Sequence, residues 1–351
     1  MVEKIMSPKK KGQETEIEVE APKAQQEGEL RVSDLEGVGN VAEEKLRDAG
    51  FDTVEMLAVS LPQTLVDLGL EQAQARKIID AARKHVDRVG IKFRTGEEVL
   101  HEHETRFKLH TQIPSLDEMV GGGFEASTVS IIHGRFSAGK SQLSHWLTAC
   151  ALTDKQLNAT DSTTVLYIDT ENTFRPKRVL DFLRTLGGKE EDLARIFVSE
   201  AHNSDHQTLI VDHAGELVKT KNVKLLILDS LTAHFRSEYV GREMLARRQQ
   251  TLNRHLQKIS QLTRMFNLVT FVTTQEIDTP QQGYGGAPES KGAGGNVVFH
   301  RPMMILSVFK PEGLSEKRFV TLEKHPSLGQ QRIVLRLNQR GFTDFETQKQ
   351  V

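Results

Sequence analysis

A lone thiol, Cys150, is all the cysteine the chain has, which excludes an internal disulfide and any cysteine-rich zinc site. Such usage suits a reducing interior. No apolar run approaches the roughly 20 residues of a membrane span. The N-terminal stretch carries Lys4 and Lys9 to Lys11 but lacks the apolar core of a signal peptide. The expected location is the cytoplasm, with no membrane partner. Net charge is also nearly absent: 46 basic and 48 acidic side chains leave −2. Any contact with nucleic acid must therefore come from a local patch. What remains, 37% hydrophobic and 27% charged over 351 residues, is enough for a large folded domain and a small one.

The most informative stretch runs from Ser130 to Gln142. An apolar strand leads into Gly134-Arg135-Phe136-Ser137-Ala138-Gly139-Lys140-Ser141, followed by Gln142 and then Leu143, Trp146 and Leu147 at helical spacing. That is the setting of a phosphate-binding loop. The two glycines let successive backbone N–H groups face one anion, and the next helix adds the positive end of its dipole. Lys140 is expected to reach the β and γ phosphates of ATP, and Ser141 to hold Mg²⁺. A glycine-rich turn with a surface lysine is the alternative.

Residues 1–28 are rich in Lys, Glu, Gln and Pro and read as a disordered tail, with Lys9 to Lys11 a solvated run or a nucleic-acid contact. Residues 29–88 read as a small all-α domain. Ser33 or Asp34 can cap a helical turn, and Gly37-Val38-Gly39 makes a bend. Val41, Lys45, Leu46 and Ala49 then follow on a helix ending at Gly50. Gly37 and Gly39 in a helix, bend, helix pattern can lay N–H groups on a DNA phosphate, or simply turn a bundle. Met56 to Leu68 and Ala75 to Ala82 supply further apolar helix faces, Val59 and Leu61 among them. Residues 89–105 read as a linker in which an exposed Phe93 could be a docking peg. Residues 106–351 read as alternating strands and helices, an α/β domain with helices on both faces of its sheet and ligands beyond the strands' carboxyl ends. Its strands are expected at 164–168, 196–198, 225–228, 269–272 and 304–308.

Three strand ends carry chemistry. Leu225 to Asp229 ends in an acid that suits Mg²⁺ held through water, or else caps a turn. Glu171 follows another strand, where a carboxylate can polarise an attacking water or lie on the surface. Gln275 closes a third and could report the γ-phosphate to the glycine-rich segment 276–296. Phe235 to Arg242 interleaves aromatic and basic side chains, with Arg236, Tyr239 and Arg242 suited to single-stranded DNA, or forming only a solvated basic helix.

With these residues in place, the chain resembles the archaeal RadA recombinases, relatives of bacterial RecA, from about residue 30 onward. The most specific stretches are Ile168 to Arg178 and Asp229 to Arg242. The resemblance implies a RecA-like P-loop ATPase core with a mainly parallel sheet, preceded by a helix-hairpin-helix domain. It implies a DNA-dependent ATPase, cytoplasmic and nucleoid-associated, that forms filaments or rings on single-stranded DNA and pairs it with homologous duplex. It further implies that Glu171 activates water, Arg178 stacks at adenine and Gln275 couples the γ-phosphate to DNA. Residues 236–242 and 276–296, the second including Ile277, would be two DNA loops, and Phe93 would insert into a neighbouring subunit. Recombination mediators are possible partners. Gly96 stands where the family's peg motif has Ala, and Gln275 to Pro280 loses an Arg and gains acids. In Glu323-Lys324-His325-Pro326, Lys324 falls at a family Asp, so its ammonium could replace a cation and act in trans on the γ-phosphate. Two other readings remain: a paralogue that binds ATP and DNA as a mediator, and an ATP switch acting on protein partners.

Overall fold

The computed structural model describes residues 30–51, 53–89, 93–159, 162–277, 291–292 and 302–345. The first of these build a small helical unit: a 3₁₀ turn at Val32–Asp34, α1 (Asn40–Asp48), α2 (Val54–Ala58), α3 (Pro62–Asp67) and α4 (Gln72–Val89). Local rules set the starts of α2 and α3. The Thr53 hydroxyl accepts from Met56 N at 3.3 Å to cap α2, and Pro62 opens α3, where its missing N–H costs nothing. Leu46, Leu57, Leu65, Ile78 and Ile79 fill the core. Asp34 caps the 3₁₀ turn from within it, its Oδ2 accepting from Arg31 N at 3.1 Å. The sequence reading differs at Val41, Val59 and Leu61, which are exposed. They sit at helix starts and ends, where an apolar periodicity no longer tracks the buried face.

The stretch read as a linker holds α5 (Gly96–Thr105), started by a capping box in which Thr95 and Glu98 bond each other's backbone N–H. None of its residues is buried.

Beyond it, β1 (Lys108–Leu109) and β2 (Phe124–Glu125) pair around α6 (Pro114–Met119). The main sheet then unfolds in chain order: β3 (Thr128–Gly134), α7 (Lys140–Thr153), β4 (Thr164–Asp169), α8 (Pro176–Thr185), β5 (Ile196–Glu200), α9 (Ser204–Thr220) and β6 (Val223–Asp229). After α10 (Ala233–Glu238) and α11 (Leu245–Met265) come β7 (Val269–Ile277) and β8 (Lys291–Gly292), then β9 (Met304–Phe309), β10 (Lys317–Lys324), β11 (Gln331–Asn338) and β12 (Gly341–Asp344). The spatial order is β12-β11-β10-β9-β3-β7-β6-β4-β5, with β8 paired to β7. From β5 to β9 the strands run parallel, and β9 to β12 form an antiparallel meander. The expected alternation of strands and helices thus stops at β9, because β10 to β12 are joined by short turns.

Period-2 alternation sorts the side chains of the parallel strands. Val165, Tyr167, Leu225, Ile227, Val269 and Phe271 face α7 and α8; Leu166, Ile168, Leu226, Leu228 and Val272 face α9 and α11. Each large apolar side chain so buried contributes roughly 1.5–3 kcal/mol. Among the described residues, no helix is long and apolar enough to cross a membrane.

Candidate active site

Register brings the loop and the strand ends together. Gly134 of β3 stands opposite Gln275 of β7, Leu228 of β6 opposite Val272, and Asp169 of β4 opposite Asp229. The alternation that turns Tyr167, Ile227 and Phe271 towards α7 also turns Asp169, Asp229, Thr273 and Gln275 that way. The segment 134–141 is a tight loop. Ser137 has φ 61° and Gly139 φ 111°, and Gly139 caps α7 with no side-chain bond, so the first N–H groups of the helix are offered to a ligand. A Cβ on Gly134 would stand 2.4 Å from the Val308 carbonyl oxygen, so only glycine fits there. Lys140 is buried at the loop and donates from Nζ to the carbonyls of Gly134 at 2.8 Å and Arg135 at 3.0 Å. Arg135 and Phe136 are exposed and Ala138 packs into the core, so what the loop presents is backbone, Lys140 and the half-buried Ser141.

The two acids beside the loop have different tasks. Asp169 organises the turn after β4: its Oδ1 accepts from the N–H of Glu171 (3.2 Å) and Thr173 (3.1 Å), its Oδ2 from that of Phe174 (2.8 Å). This holds Glu171 at the edge of the site. Asp229 is buried and accepts from the hydroxyls of Thr273 on Oδ1 and of Tyr167 (2.9 Å) and Thr173 (3.2 Å) on Oδ2. Two carboxylate oxygens offer about four acceptor positions. Three are taken, which leaves room for a metal-bound water and suits a carboxylate that steers Mg²⁺ through its hydration shell. The half-buried Ser141 hydroxyl would supply a direct oxygen ligand, so the donor set fits a nucleotide-bound Mg²⁺. Burial first, then the neighbouring Asp229, pushes the Tyr167 phenol well above its ordinary pKa, so it remains a donor. His145 of α7 stacks on Tyr167 with ring centroids 5.6 Å apart, and its Nε2 accepts from Arg175 N. Burial lowers its pKa to about 4.

An open cleft of about 340 Å³ is lined by Glu171, Ala233, Arg236, Ser237 and Gln275. Across it runs a three-residue chain of hydrogen bonds. Gln275 Nε2 donates to Glu171 Oε1 at 2.8 Å, and Arg236 NH1 donates to Gln275 Oε1 at 2.9 Å. The carboxylate expected to act on water, the side chain expected to sense phosphate and the first arginine of the expected DNA segment are thus linked. Arg236 points here from α10, which Glu238 anchors by accepting from Ser204 N at 2.8 Å.

The remaining candidates are spread around this centre. Arg178 donates to Gln142 Oε1 (2.7 Å) and to the carbonyls of Gln339 and Asn338 (both 2.6 Å), with its guanidinium carbon 4.1 Å from the Phe182 ring centroid. Tyr239 stacks on Phe235, half-buried, while Arg242 is exposed. Lys324 ends β10 just past a bulge at Glu323, whose carboxylate bonds His133 Nε2 at 2.8 Å beside Gly134. That contact holds the Glu323 carboxyl below its ordinary pKa against the pull of burial. Phe93 is 90% exposed. Gly37 has φ 97° and Gly39 caps α1. Ile277 closes β7; most of the segment 276–296 lies outside the described residues.

Comparison with known proteins follows the same lines. A family model described as Rad51 matches residues 103–345, and one described as a SAM-like helix-hairpin-helix tandem matches residues 29–84. The chain belongs to the Rad51 family. A DNA repair and recombination protein RadA from Methanoculleus marisnigri is 40% identical over 326 residues, 90% of this chain and 98% of its own length. The RadA protein of Ignicoccus hospitalis is 38% identical over 320 residues, 90% of this chain and 96% of its own. Proteins of the Rad51 family are DNA-dependent ATPases, and this chain is one of them.

Sequence reasoning missed the residues that hold this Rad51-family site in shape: Asp169, Thr173, Tyr167, Thr273, His145 and the His133–Glu323 pair. Asp169 had a signal, since an Asp two residues before Glu171 is the pattern of a side chain bonding its own backbone. The others become neighbours only once β3, β4, β6, β7 and β10 lie side by side.

Proposed function

We propose that this chain is a recombinase that assembles on single-stranded DNA with ATP and pairs the strand with homologous duplex, hydrolysis releasing the product. The observation that supports this reading is the bonded chain Glu171–Gln275–Arg236, which joins the carboxylate assigned to activate water with the arginine assigned to meet DNA. The backbone of 134–139 and the Lys140 ammonium bind the β and γ phosphates, Gln142 and Arg178 frame the adenine, and Ser141 with Asp229 hold Mg²⁺. When bound, the ion neutralises charge developing between the β and γ oxygens. Glu171 accepts the proton of the attacking water. Gln275 exchanges its bond to Glu171 for the γ-phosphate and moves Arg236 with it. Lys324 serves the same phosphate from across a subunit boundary.

DNA is held by Arg236, Tyr239 and Arg242, by Ile277 and the rest of the second loop, and by the N–H groups at Gly37 and Gly39 in the helical domain. Phe93 docks into the next subunit head to tail, which generates an open helix unless it closes into a ring. Mediator proteins and a place on the nucleoid follow from that role.

The test is a joint-molecule assay beside ATPase rates with and without single-stranded DNA, for the parent and Lys140→Ala. The parent joins strands, its ATPase rises with DNA, and Lys140→Ala loses both. A parent whose ATPase ignores DNA, or a Lys140→Ala protein that joins strands as well as the parent, refutes the proposal.

A further inference from the structure

β10 alternates: Lys317, Phe319 and Thr321 are half-buried, while Arg318, Val320 and Leu322 are buried, the last two in the core cluster that holds α7. Position 318 therefore calls for an apolar side chain, and a guanidinium stands there, 5% exposed. Its NH1 donates to the carbonyls of Ser315 (2.7 Å) and Lys317 (2.8 Å), which satisfy a donor and supply no countercharge. Its Nε is buried without a partner. The nearest acid in sequence, Glu316, is turned to Arg336 at 3.8 Å. Burial pulls the Arg318 pKa down. Among the described residues no carboxylate pairs with it; holding a cation out of water in this way is costly, and a residue that breaks the burial pattern is expected at a functional site.

The unpaired nitrogen lies against the phosphate loop. A Cβ built on Gly139 would be 3.2 Å from Arg318 Nε and 3.5 Å from Leu337 Cδ2. Gly139 is also the cap of α7 that offers no side chain to the helix's first N–H groups. A buried cation and the positive end of a 14-residue helix converge on one glycine.

We propose that Arg318 is a positioning residue of the phosphate loop: acting through Gly139, it completes the field that holds a nucleoside polyphosphate, and the ligand's phosphates are its countercharge. This deepens the nucleotide role of the loop and rests on it. Two consequences separate it from a structural brace. Removing the cation relieves the ligand-free protein of an uncompensated charge, so stability does not fall. Affinity falls in proportion to ligand charge, most for ATP and least for AMP.

The experiment compares the full chain with Arg318→Met and Arg318→Lys. Thermal melts without nucleotide are run beside calorimetric titrations with ATP, ADP and AMP in Mg²⁺. Arg318→Met is expected to melt at or above the parent, to bind ATP about tenfold or more weakly and to prefer ATP over AMP by a correspondingly smaller factor, while Arg318→Lys recovers most of the affinity. An Arg318→Met protein that binds ATP as tightly as the parent, loses ATP and AMP by the same factor, or melts well below it overturns the proposal. A parent that binds no ATP instead sinks the nucleotide reading of the loop, whatever Arg318 does.

Discussion

Replacing Gln275 by Ala cuts the path between Glu171 and Arg236 at its middle, removing bonds of 2.8 and 2.9 Å. A hydrogen bond to a charged group contributes about 1.5–3 kcal/mol net. Arg236 is exposed, so water takes over its bond and only the bond to Glu171 is counted. At 1.36 kcal/mol per factor of ten, the loss corresponds to about a 10- to 150-fold fall in DNA-stimulated turnover. The assay is a double-mutant cycle: steady-state ATPase with saturating single-stranded DNA for the parent, Gln275→Ala, Arg236→Ala and the double variant. Because both substitutions break one path, the double variant should be scarcely slower than Gln275→Ala alone. Effects that simply multiply, or a Gln275→Ala enzyme stimulated as strongly as the parent, refute the coupling.

Two further outcomes follow from the packing. His145 and His255 have folded pKa values of about 4 and about 3, both depressed chiefly by burial, so between pH 6.5 and 4 the unfolded chain binds protons that the folded one refuses. Stability is therefore lost as pH falls through that window, by about 2 kcal/mol per histidine from pH 6.5 to pH 5; urea unfolding at pH 7 and pH 5 checks this, and a His255→Gln protein with the parent's pH slope contradicts it. Phe93→Glu should leave the fold intact, since the side chain is 90% exposed, yet abolish assembly with ATP; light scattering that still reports particles of parental size rules out the peg.

How much was legible depended on how each element is buried. The strands beginning at Thr164, Val223, Val269 and Met304 are covered on both faces, so they read as plain apolar runs. β10 and β11 alternate with charged residues, and an Arg at 318 breaks the apolar row itself, so neither stood out. α5 has only Val99 and Leu100 as large apolar side chains and buries neither, so it is announced only by its cap at Thr95. The phosphate loop was visible because its chemistry is local: strand, glycines, lysine and helix lie within 13 consecutive positions, Ser130 to Gln142. The bond between Gln275 and Glu171 joins side chains 104 positions apart, and only the parallel register of β3, β4, β6 and β7 brings them together.

Arg178 bonds both Gln142, on the first turn of α7, and the carbonyls of residues 338 and 339, which lie 160 and 161 positions beyond Arg178 in the chain. The terminal hairpin of β11 and β12 and the nucleotide pocket therefore form one mechanical piece. A displacement of that hairpin is handed through a single guanidinium to the first turn of α7, so the outer edge of the sheet and the start of the helix cannot shift independently.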